Sequence, residues 1–269
     1  MDQHLIAIDL DGTTLNNQSK LTAETINTLR IAAKKGHIVS IITGRPYRIA
    51  QHIYDQIGIK TPMVNFNGAL THIPHENWDK EYEIELTKEL ALDLLVHKAE
   101  LGIETITVES KERFWANQAT EDVPEFLPNK LRPEQSLSKK NLSDDPIAMT
   151  IEYTPGSKDR IIKAVNEKYG EFVEPRVWGG PYHILELIHR GTHKESGMFY
   201  IAKQYGIDRT HIIAFGDEKN DLEMIDAAGR GVAMNNAIPE IKSIADDVTP
   251  LDNEHNGLAR YLQDYLELI

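Results

Sequence analysis

The stretch HLIAIDLDGTTL, residues 4–15, closes an apolar run with two aspartates, Asp9 and Asp11, one residue apart and followed at once by Gly12. A D-x-D-G stretch has two readings. It is a solvated turn, in which short carboxylates bond their own backbone, or it is a charge cluster that holds a cation, because hard divalent ions take carboxylate oxygens. The segment HLIAIDL is a buried-strand candidate, short and continuously apolar. The choice rests on what the remaining chain brings to the end of that strand.

Outward from it, short β-like runs alternate with amphipathic segments. TAETINTLRIAAKKG, residues 22–36, predicts a helix with Thr22 as N-cap and Gly36 as its stop. A strand HIVSIIT (37–43), a helix YRIAQHIYDQIG, a strand PMVNF and a turn at Asn67-Gly68 into ALTHI follow. This rhythm predicts right-handed βαβ units and a parallel sheet. It returns late in the chain, with a helix over 194–206, a strand over 211–215, a helix over 221–229, a strand over 231–234 and a closing helix carrying Leu258, Leu262, Tyr265, Leu266 and Ile269 at helical spacing.

Between these ends the texture changes. Residues from about 82 to 187 hold most of the proline, with a predicted helix over 87–101, strands IETITVE, RFWAN, IAMTIEY, FVEPRVW and HILELI, a helix over 157–169 and a polar connection near 128–146. The expected architecture is α/β: a parallel-sheet core from residues 1–82 and 188–269, interrupted by an α+β insertion over 83–187.

Composition narrows the chemistry. The 269-residue chain is 41% hydrophobic and carries a formal charge of −13, which opposes binding to nucleic acid or to an anionic membrane. It has no cysteine, so thiolate catalysis is excluded and a metal would be held by oxygen or imidazole. The opening apolar run is too short for a signal-peptide core, and a cytoplasmic protein is expected. Oligomeric state has no sequence signal here.

Four polar stretches fall at the C-terminal ends of predicted strands, the rim where an open parallel sheet binds ligands. They are DLDG, TGRP at 43–46, HKESG at 193–197 and GDEKND at 216–221. Each alone is an ordinary turn or cap; their conjunction carries the functional reading. Asp9, Asp11 and Asp217 would offer oxygens to Mg²⁺, Thr43 a hydroxyl and Gly44 a backbone N–H to a phosphoryl group, and Lys194 a positive charge. A carboxylate beside such an ion can attack phosphorus, and Asp9 is the candidate nucleophile. Asp11 is the candidate acid and base, protonating the leaving alkoxide and then activating water.

These residues resemble the four ordered motifs of the haloacid dehalogenase-like (HAD) hydrolases. The spacing, with NGA at 67–69 and GVAMNNA at 231–237, looks like the Cof-type branch. The resemblance implies a Rossmann-like core, a mobile type-two cap and a Mg²⁺-dependent phosphatase acting on a small phosphate monoester, sugar phosphates first, through an aspartyl-phosphate. It implies that Asp9 is nucleophile and metal ligand, that Asp11 is acid/base with its carbonyl on the metal, and that Asp217 binds metal. It assigns phosphate to Leu10 through its N–H, and to Thr43, Gly44, Lys194 and Asn220. Asp221 would support the metal site from behind. The cap would set substrate choice. A phosphomutase, or a regulator that binds a phosphate ligand without turnover, is the alternative.

Other conspicuous residues have blander readings. His189 and His193 lack zinc-ligand spacing and read as surface or structural. Arg45 either contacts phosphate or pairs with a carboxylate. Glu218 adds a metal ligand or faces solvent, and VWGGPYH at 177–183 reads as a hairpin turn flanked by core aromatics, with a substrate-contacting loop as the alternative.

Overall fold

A computed structural model describes residues 2–119, 130–178 and 183–268. The chain divides into two compact units, one of residues 1–45, 50–82 and 193–269 and one of residues 46–49 and 83–192. The second unit therefore includes Pro46–Ile49, the start of a helix, and runs on to Thr192, five residues past the expected boundary at 187.

The first unit opens with β1 (Leu5–Ile8), α1 (Ala23–Lys34), β2 (Ile38–Ile41), α2 (Tyr47–Ile57), β3 (Met63–Asn65), β4 (Leu70–His72) and β5 (Tyr82–Glu83). The Thr22 side chain caps α1 by accepting the Thr25 N–H at 3.1 Å, which satisfies one of the donors a helix start leaves unpaired. The second unit carries α3 (Lys88–Val96), α4 (Lys98–Leu101), β6 (Ile103–Glu109), β7 (Phe114–Ala116), β8 (Ala148–Tyr153), α5 (Lys158–Tyr169), β9 (Val173–Val177) and β10 (Ile184–His189). The chain then returns to the first unit with α6 (Lys194–Tyr205), β11 (Ile212–Gly216), α7 (Leu222–Ala227), β12 (Arg230–Ala233), α8 (Pro239–Ile244), β13 (Asp247–Val248) and α9 (Gly257–Tyr265).

The core sheet is parallel, in the order β13-β12-β11-β1-β2. β1 lies between two neighbours, and all four of its residues are fully buried, as expected of a strand covered on both faces. Burying each Leu or Ile contributes about 1.5–3 kcal/mol, so this strand anchors the sheet. A three-stranded sheet β3-β4-β5 continues the unit, joined to residue 42 by a parallel bridge from Val64.

The second unit is an antiparallel sheet in the order β7-β6-β8-β10-β9. Leu90 and Leu94 of α3 and Ile161 and Val165 of α5 share one apolar cluster with Ile106, Ile151 and Leu187 of the strands, the α+β arrangement of helices on one sheet face. The helix predicted over 87–101 is two helices. At the break, the Asp93 carbonyl accepts both the N–H and the ring Nδ1 of His97, a local side-chain bond that competes with the helical ladder. The strands on either side of the expected hairpin at 177–183 pair antiparallel, while residues 179–182 of its turn lie outside the described residues.

Candidate active site

Register builds the site. Ile8 of β1 pairs with Phe215 of β11 on one side and with Ile41 of β2 on the other. The residues that follow these strands, Asp9, Asp217 and Thr43, therefore emerge side by side on one rim, although Asp9 and Asp217 lie far apart in sequence. The Asp9 N–H donates to the Phe215 carbonyl at 3.1 Å, carrying the pairing one residue past β1. The chain then turns through Leu10–Thr14, with the Leu15 N–H closing on the Leu10 carbonyl at 2.8 Å. Gly12 makes this turn possible. Its φ is +71°, and a Cβ there would stand 2.2 Å from an Asp217 carboxylate oxygen, so both backbone freedom and empty space are needed.

Inside the turn lies a buried charge cluster. Lys194, the first residue of α6, donates from Nζ to Asp9 Oδ1 and to Asp221 Oδ1, each at 2.6 Å. Oxygens of Asp9, Asp217 and Asp221 all lie within 4.8 Å of one another. Asp221 is held from three sides, because its other oxygen accepts the N–H groups of Asp217 at 2.9 Å and Glu218 at 3.1 Å. Asp217 accepts the Thr13 hydroxyl at 2.9 Å.

Electrostatics follow from burial. Burial pushes the Asp9 carboxyl well above the usual carboxylate range, with Lys194 pulling it down and Asp221, Asp217 and Asp11 adding to the rise. Asp217 is pushed up to about 7, first by burial and then by Asp221, against the Thr13 hydrogen bond and Lys194. Burial alone would lower the Lys194 ammonium, but Asp221 and Asp9 override it and raise its pKa. Three buried carboxylates against one ammonium leave negative charge uncompensated. An all-oxygen donor set with that imbalance fits a hard divalent cation.

The other expected residues are placed as follows. Thr43 is buried, and its hydroxyl oxygen accepts the Arg45 N–H at 3.1 Å, a bond that leaves the hydroxyl hydrogen as a separate donor. Gly44 lies next in this loop, and Leu10 is fully buried at the start of the turn. Asn220 donates from Nδ2 to Asn67 Oδ1 at 3.0 Å. Asp11 does not join the buried carboxylates: its side chain, 55% exposed, is held by the Arg45 guanidinium, Nε to Oδ2 at 2.7 Å and Nη2 to Oδ1 at 2.5 Å. The third carboxylate of the buried group is Asp221, and Arg45 takes the carboxylate-pairing alternative. Glu218 is exposed and caps the turn after it by accepting the Lys219 N–H at 3.3 Å. His189 lies on β10, where Nδ1 bonds the Arg190 carbonyl, and His193 lies 3.4 Å from Glu223.

Two contributors escaped the sequence reading, Thr13 as a donor to Asp217 and Asn67 as the partner of Asn220. Thr13 sat in the quoted stretch. Asn67 was visible as half of an Asn-Gly turn and as part of the NGA stretch, with no role assigned to it.

Residues 6–262 match the haloacid dehalogenase-like hydrolase family. The chain belongs to that family. Among its relatives is the 5-amino-6-(5-phospho-D-ribitylamino)uracil phosphatase YitU of Bacillus subtilis, 34% identical over 266 residues and covering 98% of each chain. The phosphatase YwpJ of the same species is 30% identical, covering 97% of this chain and 99% of its own. A haloacid dehalogenase-like hydrolase of known structure from Bacteroides thetaiotaomicron superposes with a TM-score of 0.85 at 22% identity, covering 98% of this chain and 100% of that one. This protein is accordingly a phosphatase of the HAD family, with a parallel-sheet core and an additional antiparallel sheet. Among the described residues no helix is long and apolar enough to cross a membrane.

Proposed function

We propose that the protein is a Mg²⁺-dependent phosphatase that cleaves its substrate through an aspartyl-phosphate on Asp9. The observation that carries this reading is the cluster of Asp9, Asp217 and Asp221 around one lysine, with oxygens within 4.8 Å of one another. Asp9, Asp217 and the Asp11 carbonyl would hold the ion, with Asp221 bracing the site from behind. Bound there, Mg²⁺ supplies charge neutralisation that lets an anionic carboxylate approach an anionic phosphate. Lys194 orients Asp9 and offsets part of its charge. The Leu10 and Gly44 N–H groups, the Thr43 hydroxyl, Lys194 and the Asn220 amide bind the phosphoryl oxygens, preorganised donors where charge develops.

Asp9 Oδ attacks phosphorus as the bond to the leaving oxygen breaks. Asp11 gives that oxygen a proton, then takes one from the water that cleaves the acyl phosphate. The Asp11 carboxyl is half-exposed and held by the Arg45 guanidinium. Substrate choice would rest on the leaving group, the part of the substrate beyond the phosphoryl centre. The name of the 34% identical relative favours a primary phosphate on a polyhydroxylated chain, in line with the expectation of sugar phosphates.

The test is hydrolysis of p-nitrophenyl phosphate and a panel of sugar and ribityl phosphates, with Mg²⁺ or with EDTA, by the native protein and Asp9→Asn. Activity should require Mg²⁺ and fall at least about 10³-fold in the variant, the scale of losing a nucleophile. Turnover that persists in EDTA, or in Asp9→Asn, refutes the mechanism.

A further inference from the structure

The turn that follows β3 is strained where a simple connection has no need of strain. Phe66, Asn67 and Gly68 all take positive φ, at +51°, +55° and +111°. A bulky aromatic in that region is an outlier, and Phe66 is almost fully buried. Such conformations persist where the surroundings over-determine them, and they concentrate at functional sites.

The surroundings are the phosphate-binding residues proposed above. The Asn67 N–H donates to the Thr43 carbonyl at 3.1 Å, and the Phe66 N–H to the Arg45 carbonyl at 3.4 Å. Asn65 Nδ2 donates to the same Arg45 carbonyl at 2.9 Å, and Asn65 Oδ1 accepts from His72 Nε2 at 3.0 Å. The loop Thr43-Gly44-Arg45 is thus gripped along its length. The Asn67 carboxamide lies against Gly44, where a Cβ would come within 3.0 Å of Oδ1 and 3.1 Å of Nδ2. On its other side Asn67 Oδ1 accepts the Asn220 amide at 3.0 Å. At Gly68 a Cβ would strike the His193 carbonyl at 2.2 Å, so the turn also abuts the residue before Lys194.

We infer that Asn67 is a positioning residue for phosphate: its carboxamide orients the Asn220 amide and sets the place of Gly44, so that phosphate donors from separate strands converge. This rests on the function proposed above. A left-handed φ admits asparagine and glycine but only asparagine carries the acceptor, which offers a clean test. Asn67→Gly removes the carboxamide from a backbone that glycine adopts without strain.

The experiment compares the native protein, Asn67→Gly, Asn220→Ala and the double variant by inhibition constant for inorganic phosphate, by the split of kcat and KM on p-nitrophenyl phosphate, and by melting temperature with and without phosphate in Mg²⁺. Asn67→Gly should bind phosphate about tenfold or more weakly with an unchanged or higher melting temperature. In the Asn220→Ala background it should cost far less, since residues that act through one another are not additive. Native phosphate affinity in Asn67→Gly, or losses that simply add, overturns the inference. So does a lowered melting temperature with phosphate affinity intact, the signature of a purely structural role. Phosphate protection is read without turnover, so a native protein that binds phosphate but hydrolyses nothing refutes the proposed function and leaves this comparison standing.

Discussion

Each of the two units buries an ion pair, and the pairs are built differently. In the second, Arg48 makes two hydrogen bonds to Glu109, Nε to Oε2 at 2.8 Å and Nη2 to Oε1 at 3.0 Å, and its guanidinium stacks 4.8 Å over the Phe114 ring. One cation meets one anion, with an aromatic face completing the cover. In the first, one lysine serves two carboxylates and a third stands beside them. The arginine and its glutamate match charge for charge, whereas the lysine cluster is short of positive charge. A buried pair can be justified by geometry alone, but an unbalanced cluster carries a desolvation cost that a further cation offsets, or protonation of its carboxylates in that cation's place.

The sharpest way to break this contrast is Lys194→Met. It leaves Asp9, Asp217 and Asp221 without their ammonium, so turnover should fall by about 10³-fold or more, while the metal-free protein loses on the order of 3–5 kcal/mol, the scale of breaking a buried ion pair. The Mg²⁺-induced rise in melting temperature should exceed that of the native protein, because a divalent cation then meets three carboxylates and no competing charge. An unchanged Mg²⁺ response would mean that the cluster is not short of positive charge.

The next effect is on pH. Asp217, pushed up to about 7, and Asp9, raised by burial, keep protons in the native state that an unfolded aspartate releases near its ordinary value of 3.8. Where the folded state binds more protons, stability falls as pH rises. The metal-free protein should therefore lose stability between about pH 4 and pH 7 through these groups, by up to a few kcal/mol at about 1.4 kcal/mol per unit. Saturating Mg²⁺ should flatten the decline, since ligand in 100-fold excess over its Kd adds about 2.7 kcal/mol. Asp217→Asn removes one of the protons and should weaken both the slope and the Mg²⁺ response. Unfolding followed by urea at several pH values, with EDTA or Mg²⁺, measures this.

That the cluster was partly legible in sequence has a physical cause. Strand ends at a parallel rim are set by local pattern, so Asp9, Thr43 and Asp217 could be put on one edge from apolar runs and turns alone, whereas Lys194 follows β10 of the antiparallel sheet and joins them from the start of α6. The direction of a side chain is not set that way. Asp11 lies two residues beyond Asp9, yet its φ of −75° and ψ of 126° lead into Gly12, and its carboxylate ends on Arg45. That partner is 34 residues away. Asn67 and Asn220, 153 residues apart, meet only through register between strands. The helix break at His97, where the Asp93 carbonyl takes a ring nitrogen as well as the N–H, is likewise a matter of one polar contact. Period and composition report which face is buried; they do not report which polar groups pair across it.

The smallest expected effect, that of exchanging Arg48 and Glu109 together, is the most telling about the second unit. Arg48→Met alone leaves Glu109 buried and unpaired, and should cost about 3–5 kcal/mol near neutral pH. Burial already raises the Glu109 pKa, against the pull of Arg48, so the variant should recover stability in acid as that carboxyl takes a proton. Adding Glu109→Leu should restore stability to within about 1 kcal/mol of the native protein, because a closed pair can be exchanged for apolar groups of similar volume at little net cost. Both variants should keep the native Mg²⁺-induced rise in melting temperature, since neither touches the aspartates. No such exchange should be open to the lysine cluster: an apolar replacement of Lys194 and Asp9 together can be stable, but it abolishes turnover. If the double replacement of Arg48 and Glu109 also removed the Mg²⁺ response, the separation of a closed pair from a cation-seeking cluster would fail.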